Sequence, residues 1–296
     1  MEHLQSKKDI ENISHEILKA SKSLDVFPTP IDNIVQYSDL IIADGIDLKS
    51  LEKKYKSFFF SEVLKSGLSK VRGFLDRSEK LIYLDLDQKE SRKSFVKLHE
   101  TGHNVLPWQK KTLQFLDDDE SLNLDVKEEF EAEANYFASI TLFQNDRFIN
   151  EVKKYELGIP SALQVSKHFG ASGHATLRRY VETSKKRCAL LVLESLNNKG
   201  QVVNGNFRNA FYSPSFEKEF GQINWPEKFG YKWSFMQDHC FNKRMNLDGK
   251  IHLNTENGSC GFNYHFFNNT FNGFVLIFPK GESKKTRSKI IVKQVY

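Results

Sequence analysis

Residues 99–103 read His-Glu-Thr-Gly-His, and this pentad constrains the fold more than any other feature of the sequence. Residues four apart lie one above the other on a helix, so His99 and His103 can present ring nitrogens to one metal ion only if the pentad is helical. Glu100 then projects beside the ion, where its carboxylate can take a proton from water and deliver it to a leaving amine. With 9 histidines in 296 residues, composition alone predicts roughly 0.02 such matches per chain. The pentad therefore predicts a metal-holding helix with Glu100 as a general base.

The residues around the pentad favour a helix that follows a small sheet. Ser91 is a candidate N-cap, and Pro107 ends the helix. Upstream, residues 72–75 and 81–86 are typical of two strands joined by a turn. A sheet beside the helix could align an extended peptide by strand addition.

A catalytic zinc usually keeps three protein ligands, so the two histidines require a third donor elsewhere. The segment 128–138 predicts a second amphipathic helix with small residues on one side and two carboxylates, Glu131 and Glu133. An acidic run is also typical of a solvated face, and residues 117–133 hold nine acidic residues against one lysine. From the residue pattern alone, Glu131 and Glu133 are almost equally good candidates for the third ligand.

Several separated motifs carry a resemblance to a known family. They are Phe27-Pro28-Thr29-Pro30-Ile31, Arg72-Gly73-Phe74-Leu75-Asp76, Ile82-Tyr83, Ser94-Phe95 leading into the pentad, Leu106-Pro107-Trp108, and Glu131-Ala132-Glu133-Ala134-Asn135-Tyr136-Phe137-Ala138. In this order they resemble the ImmA/IrrE-type zinc metallo-endopeptidases over about residues 1–180. The resemblance implies a zincin-like core, a Zn²⁺ cofactor, and Glu131, four residues before the Asn of the family's E-x-x-A-N-x-F-A pattern, as the third zinc ligand. The pattern's usual L-L-M-P ending is absent, because this chain continues as Ile140-Thr141-Leu142-Phe143-Gln144.

The whole chain is predicted to be α+β and to have three parts. Residues 1–150 form a zincin-like, mainly helical peptidase core with a small sheet, 151–187 a helix-turn-helix-like segment, and 188–296 a β-rich domain that senses a signal or selects substrate. Strands are predicted at 189–193, 231–235, 250–253, 262–266, 274–278 and 290–295. Hairpin turns are predicted at Asn204-Gly205, Asp248-Gly249, Asn257-Gly258 and Asn272-Gly273.

The net charge of +5 is unevenly distributed, which raises the question of nucleic acid. Residues 151–187 hold eight Lys or Arg against three Glu, and residues 280–296 hold six against one. Within the helix-turn-helix-like stretch at 161–183, Arg178 and Arg179 are the candidate phosphate contacts. The competing interpretation, which we favour, is that this stretch packs against the core and supports the cleft.

Other features exclude classes of protein or leave a question open. No apolar run approaches a membrane span, the N-terminus lacks a secretory signal, and three cysteines without C-x-x-C spacing indicate a reducing cytoplasm. A further group could suggest a second metal site, but its spacing favours ordinary core or surface residues; it comprises His239, Cys240, His252, Cys260 and His265. Tyr136 and His174 are candidates for stabilising an oxyanion.

These observations lead to one main hypothesis: a cytoplasmic zinc endopeptidase in which His99, His103 and Glu131 hold the metal and Glu100 activates water. The resemblance implies a specific protein substrate, such as a helix-turn-helix repressor or a neighbouring partner, and a role in transcription regulation or the stress response. Two alternatives stay open. The chain could be a zinc-stabilised regulatory or DNA-binding module that does not cleave, or the protease effector of a toxin or defence system.

Overall fold

The computed structural model describes residues 6–47, 73–115, 124–199 and 202–283, which form an α+β chain, as predicted. The chain divides into two compact units, one of Met1–Phe148 with Ser166–Ser172 and the other of Ile149–Val165 with Gly173–Tyr296. The three-part division at residues 150 and 187 stays a prediction. Within the described ranges, no helix combines the length and apolar character needed to span a bilayer.

The first unit combines helices with a three-stranded sheet. Its helices are α1 (Lys7–Ala20), α2 (Ile31–Tyr37), α3 (Glu90–Val105), α4 (Pro107–Phe115) and α5 (Leu124–Leu142). Its strands are β1 (Ile41–Asp47), β2 (Gly73–Asp76) and β3 (Leu81–Leu84), in the spatial order β1-β3-β2. β3 pairs parallel with β1 and antiparallel with β2. The two strands predicted just before the pentad are confirmed, although Arg72 lies outside the described residues.

Helix α3 carries the whole pentad, as predicted from the spacing of its histidines. It begins two residues earlier than expected, with Lys89 at the N-cap position, so the predicted cap at Ser91 is wrong. Ser91 instead lies in the first turn, where helical backbone geometry prevents it from capping the helix. At the other end, α3 stops at Val105, and Pro107 begins α4.

Helices α3 and α5 approach each other closely at Gly102. A Cβ atom on Gly102 would lie 3.1 Å from Cδ1 of Phe137 and 3.3 Å from Cα of Ala134. Ala134 and Phe137 are both buried, so the contact lies in the core of the unit. The small residues predicted to permit this approach therefore do so, and α5 is held at short range along the helix that carries the pentad.

The end of α5 is fixed by Gln144, which follows the helix where the family pattern would continue differently. Its buried amide nitrogen donates to the backbone oxygens of Ser23 and Val26, at 3.1 and 2.9 Å, and to Oγ1 of Thr29 at 3.1 Å. Its amide oxygen accepts from the backbone nitrogen of Asp25 at 2.8 Å. Gln144 thus ties the loop between α1 and α2 to the end of α5, together with Oγ1 of Thr29, which donates to the backbone oxygen of Leu142 at 2.8 Å.

Three helices follow α5: α6 (Asp146–Val152), α7 (Ile159–Phe169) and α8 (Gly173–Glu182). Helices α7 and α8 confirm the helix, turn, helix outline predicted for residues 161–183.

The second unit is built on a six-stranded antiparallel sheet with the order β6-β5-β4-β9-β8-β7. The strands are β4 (Ala189–Lys199), β5 (Val202–Tyr212), β6 (Lys228–Gly230), β7 (Met245–Thr255), β8 (Gly258–Asn268) and β9 (Asn272–Phe278). Two short helices lie between them, α9 (Pro214–Phe220) and α10 (Ser234–Cys240). Alternate residues of β4, such as Leu191 and Leu193, share a core with Phe216 of α9 and Phe235 of α10.

Several sequence predictions in this half need correction. The strand predicted at 231–235 is wrong, because residues 234–240 are helical, and the strand predicted at 290–295 lies outside the described residues. The turn between β7 and β8 is Glu256-Asn257, one residue before the predicted pair, because Gly258 already pairs with Thr255 as the first residue of β8. Asn272-Gly273 is not a turn, because it begins β9. Asn204-Gly205 and Asp248-Gly249 are not turns, because both lie inside strands.

Gly249 shows why a turn-like pair can lie within a strand. It pairs with Tyr264 of β8, and a Cβ atom on Gly249 would lie 2.2 Å from Cζ of the Tyr264 ring. The ring cannot easily move, because Tyr264 is buried and its hydroxyl donates to Oδ2 of Asp238 at 2.7 Å. The glycine is therefore required by an aromatic ring that covers the strand.

We expect Gly249→Ala to lower the free energy of unfolding by about 1–3 kcal/mol, because the added methyl group overlaps a ring that is fixed in place. Gly261→Ala is the matched control on β8, since its nearest side-chain atom, Nδ1 of His252, is 3.6 Å from the added Cβ. Urea unfolding of both variants followed by tryptophan fluorescence measures the difference. Equal stabilities of the two variants would contradict this account of Gly249.

Candidate metal site

Helices α3 and α5 bring three potential metal ligands together. His99 and His103 project from α3, and their Nε2 atoms are 3.1 Å apart. Glu131 projects from α5, with Oε2 at 3.4 Å from Nε2 of His99 and Oε1 at 3.4 Å from Nε2 of His103. The two histidine side chains are 2% and 11% exposed, whereas that of Glu131 is 44% exposed. The cluster is therefore shielded from solvent at the two histidines of α3 and open to solvent at Glu131 of α5.

The donor atoms of this cluster fit a tetrahedral metal ion. Bonds of about 2.0–2.1 Å to nitrogen and oxygen give a tetrahedron with edges of about 3.3–3.4 Å between ligand atoms. The three observed separations, which involve both carboxylate oxygens of Glu131, lie within a few tenths of an ångström of that length. Two imidazole nitrogens and a carboxylate converge on one point, and a cation there would offset their mutual repulsion. In the described part of the chain, no other group of three His, Cys, Asp or Glu ligand atoms lies this close together.

The ionisation of the cluster follows from its own contacts. Burial opposes a charge on His103, but its hydrogen bond with Glu131 and the nearby carboxylates of Glu100 and Glu131 raise its pKa above the usual value. Burial also opposes a charge on Glu131, yet hydrogen bonds with His103 and His99 hold the pKa of that carboxyl well below its usual range. The environment thus favours a positive charge between an ionised carboxylate and the two rings.

Glu100 lies beside the three candidate ligands and is not part of that group. Its side chain is buried, and Oε1 faces the start of β2, because a Cβ atom on Gly73 would lie 3.2 Å from it. Its negative charge acts on His103. A buried carboxylate next to a ligand ring and next to a strand is placed to exchange protons with groups held there.

Glu133, the other candidate third ligand, faces away from the cluster. It is buried, and its Oε2 accepts hydrogen bonds at 2.7 Å from Nε1 of Trp108 and at 2.7 Å from Nε2 of Gln109. Ser6 donates to its Oε1. Residues two apart on a helix point in nearly opposite directions, so Glu131 can face the histidines while Glu133 faces α4. Sequence reasoning assigned no role to Gln109, because nothing in its spacing from the pentad distinguishes it.

The two candidate oxyanion residues have other contacts. The hydroxyl of Tyr136 donates to Glu11, and the ring of His174 packs against Phe274 with centroids 5.6 Å apart. Neither contact involves His99, His103 or Glu131.

The candidate phosphate contacts on α8 are engaged within the second unit. Nε of Arg178 lies 3.0 Å from Oε1 of Glu182, and its guanidinium lies 4.8 Å from the centre of the Phe211 ring. Arg179 is buried. DNA contact by these two arginines stays a prediction, and this arrangement does not favour it.

The five residues considered for a second metal site lie in the second unit, and two of their histidines have polar neighbours. Nδ1 of His265 accepts from the backbone nitrogen of Ile159 at 3.3 Å. Nδ1 of His239 lies 3.2 Å from the amide nitrogen of Asn268. Both histidines have a pKa below the usual value because of burial.

Comparison with known proteins finds a family match for the segment that carries the site. Residues 58–180 match the peptidase M78 family, described as an IrrE N-terminal-like domain. The resemblance drawn from the sequence motifs is thereby confirmed over this segment, which is less than half of the 296-residue chain. The segment contains the pentad and Glu131, whereas the motif at Phe27–Ile31 lies outside it.

A search of curated proteins gave no match. Among solved structures, the chain is similar to a Mycobacterium tuberculosis transcriptional regulator, at 8% sequence identity and a TM-score of 0.49, covering 92% of this chain and 76% of that one.

We expect Glu131→Gln to lose bound metal, because the change removes one of three converging ligands and its negative charge. Changes to residues that only contact a ligand typically lower metal affinity by about 10–100-fold, or about 1.4–2.7 kcal/mol. Loss of a ligand itself should lower the affinity by at least this much. Glu129→Gln is the matched control, an exposed glutamate on the same helix. Metal content per chain after dialysis, measured by mass spectrometry, should fall only for Glu131→Gln. Metal retained equally by both variants would remove Glu131 from the ligand set.

Proposed function

We propose that this protein is a zinc-dependent endopeptidase that cleaves a specific regulatory protein. One observation carries the proposal. The ligand atoms of two histidines and a glutamate lie 3.1–3.4 Å apart, and a fourth side chain, the buried carboxylate of Glu100, lies beside them. A purely structural zinc site is normally closed by four protein ligands. Three ligands, one of them partly exposed, match the pattern of a catalytic site that keeps one position for water or substrate.

The donor set favours zinc as the metal. Two neutral imidazoles and one carboxylate are borderline ligands that suit Zn²⁺, whereas Mg²⁺ and Ca²⁺ prefer sites made of oxygen atoms. When bound in such a site, zinc lowers the pKa of a coordinated water and polarises a peptide carbonyl. His99, His103 and Glu131 are the residues that would hold it.

The chain's own residues account for the proton transfers and for substrate alignment. Glu100 would take the proton of the attacking water and later deliver it to the leaving amine, and its burial keeps bulk water from competing for that proton. In the described sheet, β2 pairs with β3 on one side only, and it begins beside Glu100. An extended substrate peptide could pair with β2 along the edge that faces away from β3 and so pass the ligand cluster.

The family match supports a narrow regulatory substrate over general digestion. By resemblance, we infer a transcriptional regulator such as a helix-turn-helix repressor or a partner encoded nearby, cleaved in the cytoplasm. The second unit would then select that substrate or sense a signal. The main alternative is a regulatory module that holds zinc but does not cleave. The other alternative, a protease effector of a toxin or defence system, differs from the proposal only in its target.

We expect Glu100→Gln to retain zinc and to lower the rate of cleavage by about 10²–10⁴-fold, the usual contribution of a general acid and base. Zinc-loaded parent and variant would be incubated with a denatured cytosolic proteome, and the new N-termini identified by terminal labelling and mass spectrometry. The cut sites of the parent should be absent with Glu100→Gln.

Two outcomes would contradict this mechanism. Equal cutting by the parent and Glu100→Gln would exclude Glu100 as the base. Zinc binding without any new N-termini, together with salt-dependent DNA binding that is lost in Arg178→Ala, would favour the non-cleaving module.

A further inference from the structure

Gln109 connects the candidate metal site to a buried carboxylate. The side chain of Gln109 on α4 is fully buried, and its Oε1 lies 2.8 Å from Nδ1 of His103. Its Nε2 donates to the backbone oxygen of Phe130 at 3.1 Å and to Oε2 of Glu133 at 2.7 Å. All polar atoms of this amide are therefore used, and each neighbour is known.

The neighbours determine which way the amide of Gln109 faces. A backbone carbonyl and a carboxylate oxygen accept hydrogen bonds, so the group that faces Phe130 and Glu133 must be the NH₂ group. The amide oxygen then faces His103, and an amide oxygen can only accept. Nδ1 of His103 must therefore carry a proton, and in the neutral ring Nε2 is left with its lone pair. That lone pair is directed at the point where His99 and Glu131 converge.

Glu133 is itself held in place by further donors. Trp108 donates to its Oε2 and Ser6 to its Oε1, in addition to the bond from Gln109. Two donors from adjacent residues of α4 and a third from Ser6, just before α1, leave this buried carboxylate little freedom to turn. The carboxylate of Glu133 therefore holds the amide of Gln109 in one orientation, and that amide holds the ring of His103.

The two histidines differ in this respect. Nδ1 of His99 is buried and has no hydrogen-bond partner among the described residues, whereas Nδ1 of His103 has Gln109. Of the two rings, His103 is therefore the one whose orientation is set by a hydrogen bond at Nδ1.

We propose that Gln109, held by Glu133, is a positioning residue that selects the tautomer and ring orientation of His103 for metal binding. This inference rests on the proposed function insofar as His103 is a zinc ligand. Gln109 acts through His103 and does not itself touch the metal or the substrate. Outer hydrogen-bond partners of ligating histidines commonly change metal affinity by about 10–100-fold.

The test replaces Gln109 with methionine, which has a similar length but neither accepts the Nδ1 proton nor donates to Glu133. We expect Gln109→Met to weaken zinc binding about 10–100-fold, as measured by competition with a chromophoric chelator. In the metal-free protein, long-range ¹H–¹⁵N spectra of the histidine rings, recorded at a pH where His103 is neutral, should show that its proton is no longer confined to Nδ1.

Gln144→Met is the matched control. Gln144 is also buried in the first unit and also uses its amide fully, but its partners are Asp25, Ser23, Val26 and Thr29, none of which belongs to the pentad or to α5. This variant should lose thermal stability while its zinc affinity and its His103 tautomer stay at the parent values. A general loosening of the first unit would change both variants alike.

The outcomes are separable. Unchanged zinc affinity or an unchanged His103 tautomer in Gln109→Met would overturn the proposal. If Gln109→Met does not fold, Glu133→Gln replaces it, because this change keeps the size of the side chain. The proposal then requires that Glu133→Gln also weakens zinc binding. A parent protein that binds no zinc would refute the proposed function, while the tautomer of the metal-free protein would still test the role of Gln109.

Discussion

The close packing of α3 on α5 at Gly102 is the contact on which the candidate site depends. Side chains at the crossing are small enough for the two helices to meet, with Ala134 and Phe137 directly opposite the glycine. At this distance, a single glutamate on α5 can reach both histidines of α3 at once. A wider crossing would leave the two histidines as a pair without a third donor. The glycine that weakens α3 as an isolated helix is therefore what allows the ligand set to form.

The same helix pair also separates two acidic residues that the sequence places side by side. Glu131 faces α3 and is partly open to solvent, while Glu133 faces α4 and is buried among donors. One short stretch of α5 thereby contributes to the ligand cluster and to the hydrogen bonds behind it. The helix also links the cluster to the rest of the first unit, because Thr141 contacts Ser14 of α1 through their hydroxyl groups, 2.8 Å apart.

The sequence predicts local features of this molecule well and tertiary ones less well. The pentad helix and the β2–β3 hairpin follow from spacings of a few residues, so they could be read directly. The choice between Glu131 and Glu133 depends on how α5 is rotated against α3, which no local pattern records, and only resemblance to a family favoured Glu131. Gly249 was mistaken for a turn residue for the same reason, because the ring that requires a glycine belongs to Tyr264 on the neighbouring strand. Gln109 is invisible in the sequence because its partners lie on two other helices.

The unequal exposure of the three candidate ligands has a consequence for how a bound ion would enter and leave. The histidines are anchored in the core of the first unit, so they cannot withdraw without disturbing the packing of α3. The side chain of Glu131 meets solvent and can change rotamer while both helices stay in place. Loading and release of the ion would then be controlled by the swing of one carboxylate. Exchange with a chelator could proceed in the folded protein, at a rate set by a side-chain motion and not by unfolding.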